Sequence, residues 1–147
     1  MKKILLLLAI CGLMVACGEE APTPTTPSGP SVAKTVVDGC YEIAAQDLKW
    51  TTETEYSDYN DKPRTIVELY LNVSCLAEPA VPSYLNMELV DKDGFVVYDM
   101  GAASSLPAAG KKSQVKFWEK EYNKYSREID EILKQVASAQ FTLTPKN

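Results

Sequence analysis

A strict two-residue alternation of apolar and other side chains constrains this chain more than any other feature of its sequence. Successive side chains of a β-strand point to opposite faces, so a period of two predicts a strand with one buried and one solvated face. The pattern is clearest from residue 67 to residue 74. There the apolar positions are Val67, Leu69, Leu71 and Val73, and the positions between them are Glu68, Tyr70, Asn72 and Ser74.

The preceding segment, residues 48 to 56, shows the same period. A polar loop of residues 57 to 64, which contains Pro63, separates the two segments. This arrangement predicts an antiparallel pair of strands. The positions predicted to face inward on the first strand are Leu48, Trp50, Thr52, Thr54 and Tyr56.

A second hairpin and further strands follow from the same pattern. The hairpin turns at residues 91 to 94, where Gly94 can adopt the positive φ that tight connections require. Its inward side chains are predicted to be Leu85, Met87 and Leu89 on one strand and Phe95 and Val97 on the other. With strands near residues 36 to 41, 114 to 118 and 139 to 144, about seven strands result. The predicted fold class is mainly β, an antiparallel β-sandwich.

One segment has a helical period instead. Its apolar residues recur at three- and four-residue intervals, which predicts an amphipathic helix of about four turns before the last strand. Asp130 and Lys134 lie four residues apart on its other face and are expected to form an ion pair. The apolar stripe either covers an open edge or end of the sandwich, which we favour, or binds a partner. The stripe consists of Tyr122, Tyr125, Ile129, Ile132, Leu133 and Val136.

The sequence before the alternating region divides into a leader and a tether. Residues 18 to 33 are rich in Pro, Thr and Ser and contain no aromatic residue, so they lack the apolar surface that would offset the entropy of ordering. We therefore predict a disordered, semi-stiff tether over residues 17 to 33 and one folded domain over residues 34 to 147.

The leader, MKKILLLLAICGLMVAC, has a cationic start, an apolar core and a small residue directly before Cys17. It resembles the signal peptide and lipobox of a bacterial lipoprotein, which implies that residues 1 to 16 are removed and that Cys17 carries lipid, including palmitate. A secretory signal cleaved elsewhere would share the start and the core. A membrane span would need about 20 apolar residues, and this run is shorter.

The same resemblance implies a location. No aspartate follows Cys17 directly, and in the best-known bacterial sorting pattern such an aspartate favours retention at the inner membrane. The expected location is therefore the outer membrane, facing the periplasm or the cell surface. Glu19 and Glu20 resemble the acidic signals that send some Bacteroidetes-type lipoproteins to the cell surface.

Cys40 and Cys75 remain in the predicted domain. An exported domain meets an oxidising environment, so we expect a disulfide between them, which would contribute about 4 kcal/mol for a loop of this length. Two buried free thiols are the alternative. A zinc site is not expected, because the chain has no histidine and two cysteines cannot supply four ligands.

Charge and composition exclude several functional classes. Lys2 and Lys3 are the only charged residues before Cys17, so 13 basic and 20 acidic residues follow it, a formal net charge of −7. An acidic domain repels the phosphate backbone, so a nucleic-acid partner is not expected. Without histidine there is neither an imidazole base nor a Ser-His-Asp arrangement.

Carboxylates are the remaining candidates for catalysis. Glu53 and Glu55 could act with Asp58 or Asp61 as an acid and base pair on a sugar, but they fall on the predicted solvated face of a strand, where acidic side chains keep an edge soluble. The acidic segment of residues 91 to 93 has too few oxygen ligands for calcium and is expected to be a turn. We therefore expect no enzyme activity, no cofactor and no metal.

The loop of residues 56 to 61 is the strongest candidate for a binding surface. Tyrosine rings offer a large contact area at low entropic cost, and polar neighbours can hydrogen-bond to a ligand. We expect a protein partner. The alternative is carbohydrate, with Tyr59 and Trp118 stacking on sugar rings, and the competing interpretation is an ordinary polar turn. The candidate binding residues are Asp58, Tyr59, Asn60 and Asp61.

Three short segments follow one another along the chain: LYLNVS at residues 69 to 74, LVDKDGFV at residues 89 to 96 and LPAAG at residues 106 to 110. Their order is similar to that of the small immunoglobulin-like β-sandwich domains, FxLYD-like in pattern, of many bacterial lipoproteins. The resemblance covers residues 65 to 117 and implies an immunoglobulin-like fold without catalytic residues. The predicted helix and the spacing of Cys40, Trp50 and Cys75 depart from this pattern.

Overall fold

The computed structural model describes residues 28–56 and 62–147. In this part of the chain, nine strands form two antiparallel sheets and one helix precedes the last strand, so the predicted mainly β sandwich is confirmed, with two strands more than expected. The elements are β1 Ser28–Val32, β2 Thr35–Val37, β3 Tyr41–Ile43, β4 Gln46–Tyr56, β5 Pro63–Cys75, β6 Ser83–Val90, β7 Val96–Ala102, β8 Lys112–Tyr122, α1 Ser126–Leu133 and β9 Ser138–Pro145.

The larger sheet is built around β5. One edge of β5 pairs with β8 along almost its whole length. The other edge pairs with β4 near the start of β5 and with β3 near its end, so β3 and β4 lie in tandem. β1 flanks β4, and β2 flanks β3. The smaller sheet has the strand order β7-β6-β9 and lies over the larger one.

The core lies between the two sheets and follows the predicted alternation closely. The inward side chains of β8, Val115 and Phe117, are fully buried. On β4 the prediction is right for Leu48 and Trp50, but Tyr56 extends past the core and is exposed. The predicted inward residues that are buried on β5 and β6 are Val67, Leu69, Leu71, Val73, Leu85, Met87 and Leu89.

The helix is shorter than predicted but packs as expected. α1 has eight residues, about two turns, because Tyr122 belongs to β8 and Tyr125 is the N-cap residue. Ile129 and Leu133 are buried in the core. The part of the apolar stripe formed by Ile129, Leu133 and Val136 therefore covers the sandwich, whereas Tyr122 and Tyr125 at its start are exposed.

Threonine side chains of β4 hold the helix against the sheet. Thr52 Oγ1 donates to Asp130 Oδ1 at 2.9 Å, and the backbone N–H of Ser126 donates to Thr54 Oγ1 at 2.9 Å. Asp130 thus faces the sheet, and Lys134 pairs with Glu131 instead. The predicted ion pair between Asp130 and Lys134 is wrong, because tertiary contacts take up the carboxylate.

The folded part begins before the predicted boundary at residue 34, since β1 lies within the segment expected to be a tether. Val32 is buried in the core. Gly29 lies so close to Trp50 that a Cβ at residue 29 would clash with the indole ring. The Ser31 hydroxyl also donates to the Asp47 carboxylate. A single apolar anchor and a close glycine contact thus order a segment whose composition predicts disorder.

Phe95, which was predicted to face inward, is 71% exposed. Its backbone closes the hairpin turn, because Phe95 N–H donates to Asp91 Oδ1 and Phe95 O accepts from Asp91 N–H, both at 2.9 Å. Gly94 has a φ of +85°, as the turn predicted. A register shift between β6 and β7 then turns Tyr98 and Met100 toward the core.

Candidate functional site

Exposed aromatic side chains lie on the outer face of the larger sheet. Alternate positions of β5 and β8 point away from the core, and among them Tyr70 and Trp118 are each 43% exposed. Tyr122, at the end of β8, is 66% exposed. Because folding does not bury these rings, they are candidates for contact with a ligand.

The strand register places two of these rings side by side. Tyr70 pairs with Lys116, and Trp118 pairs with Glu68. Tyr70 and Trp118 are therefore diagonal neighbours on one face, with about 7–8 Å between their backbones. Tyr122 follows on the same face four residues beyond Trp118, about 13 Å further along the strand. We call Tyr70, Trp118 and Tyr122 the aromatic row.

Charged groups lie between the rings of the aromatic row. Lys116 forms an ion pair with Glu68, and its Nζ lies 6.0 Å from the centroid of the Tyr70 ring. The hydrogen bond that Lys116 Nζ donates to the Glu68 carboxylate raises the pKa of Lys116, so this lysine remains cationic. Lys120 Nζ lies 5.9 Å from the centroid of the Trp118 ring. The rings therefore alternate with ammonium and carboxylate groups and do not merge into one apolar patch.

Amide side chains adjoin the aromatic row at the point where β3 ends and β4 begins. Gln46 Oε1 accepts hydrogen bonds from Asn72 N at 3.1 Å and Asn72 Nδ2 at 3.2 Å, so a side-chain oxygen takes the place of the backbone acceptor for Asn72 N–H at this break. Two adjoining depressions of about 500 Å³ each open here, and Asn72 and Gln114 line both. Tyr70 lines one of them. Hydrogen-bonding groups and an aromatic ring thus share one surface.

A cleft of about 380 Å³ lies elsewhere, between the loops that precede β6 and follow β7. Its walls include Tyr41, Glu78, Tyr84 and Lys146. Lys146 Nζ lies 4.9 Å from the centroid of the Tyr84 ring, and burial raises the pKa of Tyr41. Burial thus favours the neutral form of the Tyr41 phenol, and the Lys146 side chain is held over the Tyr84 ring.

Several predicted site residues lie outside the described residues. They are the lipidation residue Cys17 and the loop residues Asp58, Tyr59, Asn60 and Asp61. Their roles stay predictions. Trp118, the other side chain predicted to stack on sugar, is described and belongs to the aromatic row.

Cys40 and Cys75 are free thiols in the structure. Cys40 ends the turn between β2 and β3, Cys75 ends β5, and the carbonyl of Cys40 accepts a hydrogen bond from Leu76 N–H at 2.7 Å. Burial raises the pKa of the Cys75 thiol, and Glu78 and Cys40 nearby raise it further. The fold therefore brings these two distant positions together, and their pairing as a disulfide stays a prediction.

The acidic side chains considered for catalysis or calcium have ordinary structural surroundings. Glu55 forms an ion pair with Arg64 at 2.8 Å, and Glu53 is exposed. Asp91 Oδ1 accepts the backbone N–H of Asp93 at 2.9 Å inside the hairpin turn. Within residues 28–56 and 62–147, no group of three or more His, Cys, Asp or Glu side chains is placed to hold a metal ion. The helix in the described ranges is too short and polar to cross a membrane.

Two of the three rings, Tyr70 and Tyr122, were not predicted to be binding residues. Tyr70 was visible on the solvated side of the alternation, but the sequence does not give the register that places it beside Trp118. Tyr122 was assigned to the helix, because it falls at helical spacing from Tyr125 and Ile129. The sequence does contain a signal for Tyr122, because the two-residue period of β8 continues through Lys120 to Tyr122.

No protein-family model, no curated protein and no solved structure matches this chain. The fold and the composition of its outer face are therefore the basis for a functional proposal.

Proposed function

We propose that this protein is a non-catalytic binding module, anchored by lipid in the bacterial cell envelope, and that the outer face of the larger sheet is its binding surface. The observation that carries the binding role is the aromatic row, in which rings on two neighbouring strands stay exposed above a fully packed core. Contact residues on rigid strands lose little conformational freedom when a ligand binds.

The non-catalytic part of the proposal is supported by the composition and by the acidic residues. The chain has no histidine to act as a base at neutral pH. Glu55 is engaged by Arg64, and Glu68 is engaged by Lys116. These contacts favour stabilisation of the sheet surface over proton transfer to a substrate.

The anchor rests on Cys17 and the leader that precedes it. Replacing Cys17 with Ser removes the thiol that would carry lipid, so the variant should lose palmitate labelling and be released from membranes. Wild-type protein processed in the same cells is the control. Membrane association of Cys17→Ser equal to that of the wild type would contradict the anchor.

An exported protein with this arrangement of cysteines is expected to contain the Cys40–Cys75 disulfide. The two cysteines lie at adjoining strand ends, and the cell envelope is oxidising. Non-reducing mass spectrometry should find a peptide that joins the two cysteines and is two hydrogens lighter than the dithiol. Quantitative alkylation of both thiols without prior reduction would overturn the pairing.

A protein is one candidate for the ligand of this module, and a surface outside the aromatic row favours it. Phe95 and Val96, at the tip of the β6–β7 hairpin, are 71% and 50% exposed, so their side chains are accessible to a partner.

The binding role itself is tested by photo-crosslinking in producing cells. A diazirine side chain inserts into C–H and O–H bonds of protein and polysaccharide alike. Placed at Lys120, beside the Trp118 ring, or at Phe95, it should give adducts of higher mass, and placed at Thr142, an exposed position on β9, it should not. Adduct yields that are equally low at all three positions would contradict a binding function.

A further inference from the structure

We infer that the aromatic row, together with the amide groups beside it, binds an extended carbohydrate chain. This inference rests on the binding function proposed above and gives the chemical class of its ligand. It depends on three properties of the outer face of the larger sheet: the kinds of side chain present, their length along the strands and the distribution of charge.

The first property is the combination of side chains. A sugar ring has a face of C–H groups and a rim of hydroxyls, so a site needs a flat ring and nearby groups that both donate and accept hydrogen bonds. Tyr70 and Trp118 provide neighbouring rings. Asn72 and Gln114 line the depressions beside Tyr70 and are exposed. An amide both donates and accepts, which matches a hydroxyl.

The second property is length. Gln114 and Tyr122 mark the two ends of the surface on β8, and eight residues of strand span about 27 Å. Tyr70 and Trp118 lie between these ends. A surface of this length, open along the strand, fits several consecutive sugar units better than a single sugar.

The third property is the distribution of charge, and it separates carbohydrate from a protein partner. The centres of protein–protein interfaces are depleted in charged residues. Here the Lys116–Glu68 ion pair and Lys120 stand between and beside the rings, so docking a dry protein surface would strip water from these charges. A hydrated polymer leaves them solvated while its sugar rings contact Tyr70 and Trp118.

Affinity electrophoresis of the full-length protein in detergent tests this inference. Native gels would contain hydroxyethylcellulose, xylan, glucomannan or soluble starch, and a gel without polysaccharide gives the reference mobility. The variants are Tyr70→Ala and Trp118→Ala. The matched control is Tyr84→Ala, because Tyr84 is 46% exposed, much like Trp118, but lies on the smaller sheet. Unfolding midpoints establish that each variant is folded.

We expect at least one polysaccharide to retard the wild type and Tyr84→Ala equally, and each aromatic-row variant to bind it about tenfold more weakly. Retardation that is unchanged in Trp118→Ala would overturn the assignment of this surface. Lack of retardation by all four polymers would overturn the carbohydrate ligand. In that case, protein adducts from a diazirine at Lys120 or Phe95 would leave the binding function standing, and absence of adducts at both positions would remove it as well.

Discussion

Alternate residues of β5 point to opposite faces of the larger sheet, and these two faces form different kinds of surface. Leu69 and Leu71 are fully buried on the inner face, whereas Tyr70, which lies between them, is 43% exposed. The inner positions are apolar because the sandwich requires it. The outer positions need only be compatible with water, so packing of the core does not require the rings of Tyr70 and Trp118. The contrast separates residues that the fold requires from residues that are free to serve a ligand.

The inner face is not uniformly apolar, and its polar end has a structural role as well. Thr65 is completely buried, and its hydroxyl donates to the carbonyl of Lys124 at 2.8 Å. Its oxygen also lies 3.0 Å from Thr54 Oγ1. Buried hydroxyls of this kind are tolerated because their hydrogen bonds are satisfied. Here they fix the start of α1, so the inner face remains a surface made for packing.

The largest expected effect concerns the helix that closes the inner face. Ile129 is fully buried, whereas Ile132 on the same helix is half-buried. Ile129→Asp would place an unpartnered charge in the core and should lower the free energy of unfolding by about 3–5 kcal/mol. Ile132→Asp should cost clearly less, since water reaches that position. Denaturant unfolding measures both, and a small effect of Ile129→Asp would show that α1 does not seal the core.

Adjacent residues of β5 give the next comparison. Leu71→Ala removes a fully buried side chain and should cost about 2–5 kcal/mol. Tyr70→Ala changes a side chain on the outer face and should alter stability by no more than about 0.5–1 kcal/mol. Equal losses in the two variants, measured by denaturant unfolding, would mean that the outer face also carries folding energy.

A smaller effect is expected at Tyr98, a residue of β7 whose side chain is buried in the core. Its buried hydroxyl has no hydrogen-bond partner among the described residues, so Tyr98→Phe should raise the free energy of unfolding by up to about 1 kcal/mol at neutral pH. Burial, with the carboxylates of Glu121 and Glu119 nearby, raises the pKa of Tyr98 well above 10.0.

This raised pKa also predicts how stability changes with pH. Above pH 10.0, the usual pKa of tyrosine, the unfolded chain releases the Tyr98 proton while the folded protein keeps it. The wild type should therefore lose stability as pH rises past 10, and Tyr98→Phe should lose less. Urea unfolding between pH 8 and pH 11 measures how the free energy of unfolding of each protein changes with pH. The same change in both proteins would contradict the raised pKa of Tyr98.

The inner face was predictable from sequence because burial imposes a regular pattern. Val67 and Leu69 could be placed from alternation alone, since a shift of one residue would expose the whole apolar set. Phe95 could not, because a register shift and the Asp91 turn decide which side chains of β7 face inward. The predicted boundary between tether and domain at residue 34 is wrong for a related reason. The contact of Gly29 with Trp50 joins residues far apart in the chain and has no local sequence signature.

The outer face was only partly predictable. Tyr70 could be assigned to the solvated side of its strand, but its position beside Trp118 depends on the pairing of β5 with β8. Pairing register is a long-range property, and alternation within a single strand does not contain it. The break at Gln46, where a side-chain oxygen replaces one backbone acceptor, also arises only when β3 and β4 share one edge of β5.

The central claim is that the outer face binds carbohydrate while the inner face only packs, and the two tryptophans test it directly. Trp50 is buried and Trp118 is exposed, so ¹⁵N NMR of the full-length protein in detergent gives one indole N–H signal from each kind of surface. Cellohexaose, xylohexaose, mannohexaose and maltohexaose are the probes. We predict that at least one of them shifts the Trp118 signal in a saturable way and leaves Trp50 unchanged. A Trp118 signal that none of the four shifts, or equal shifts of both signals, would contradict the claim.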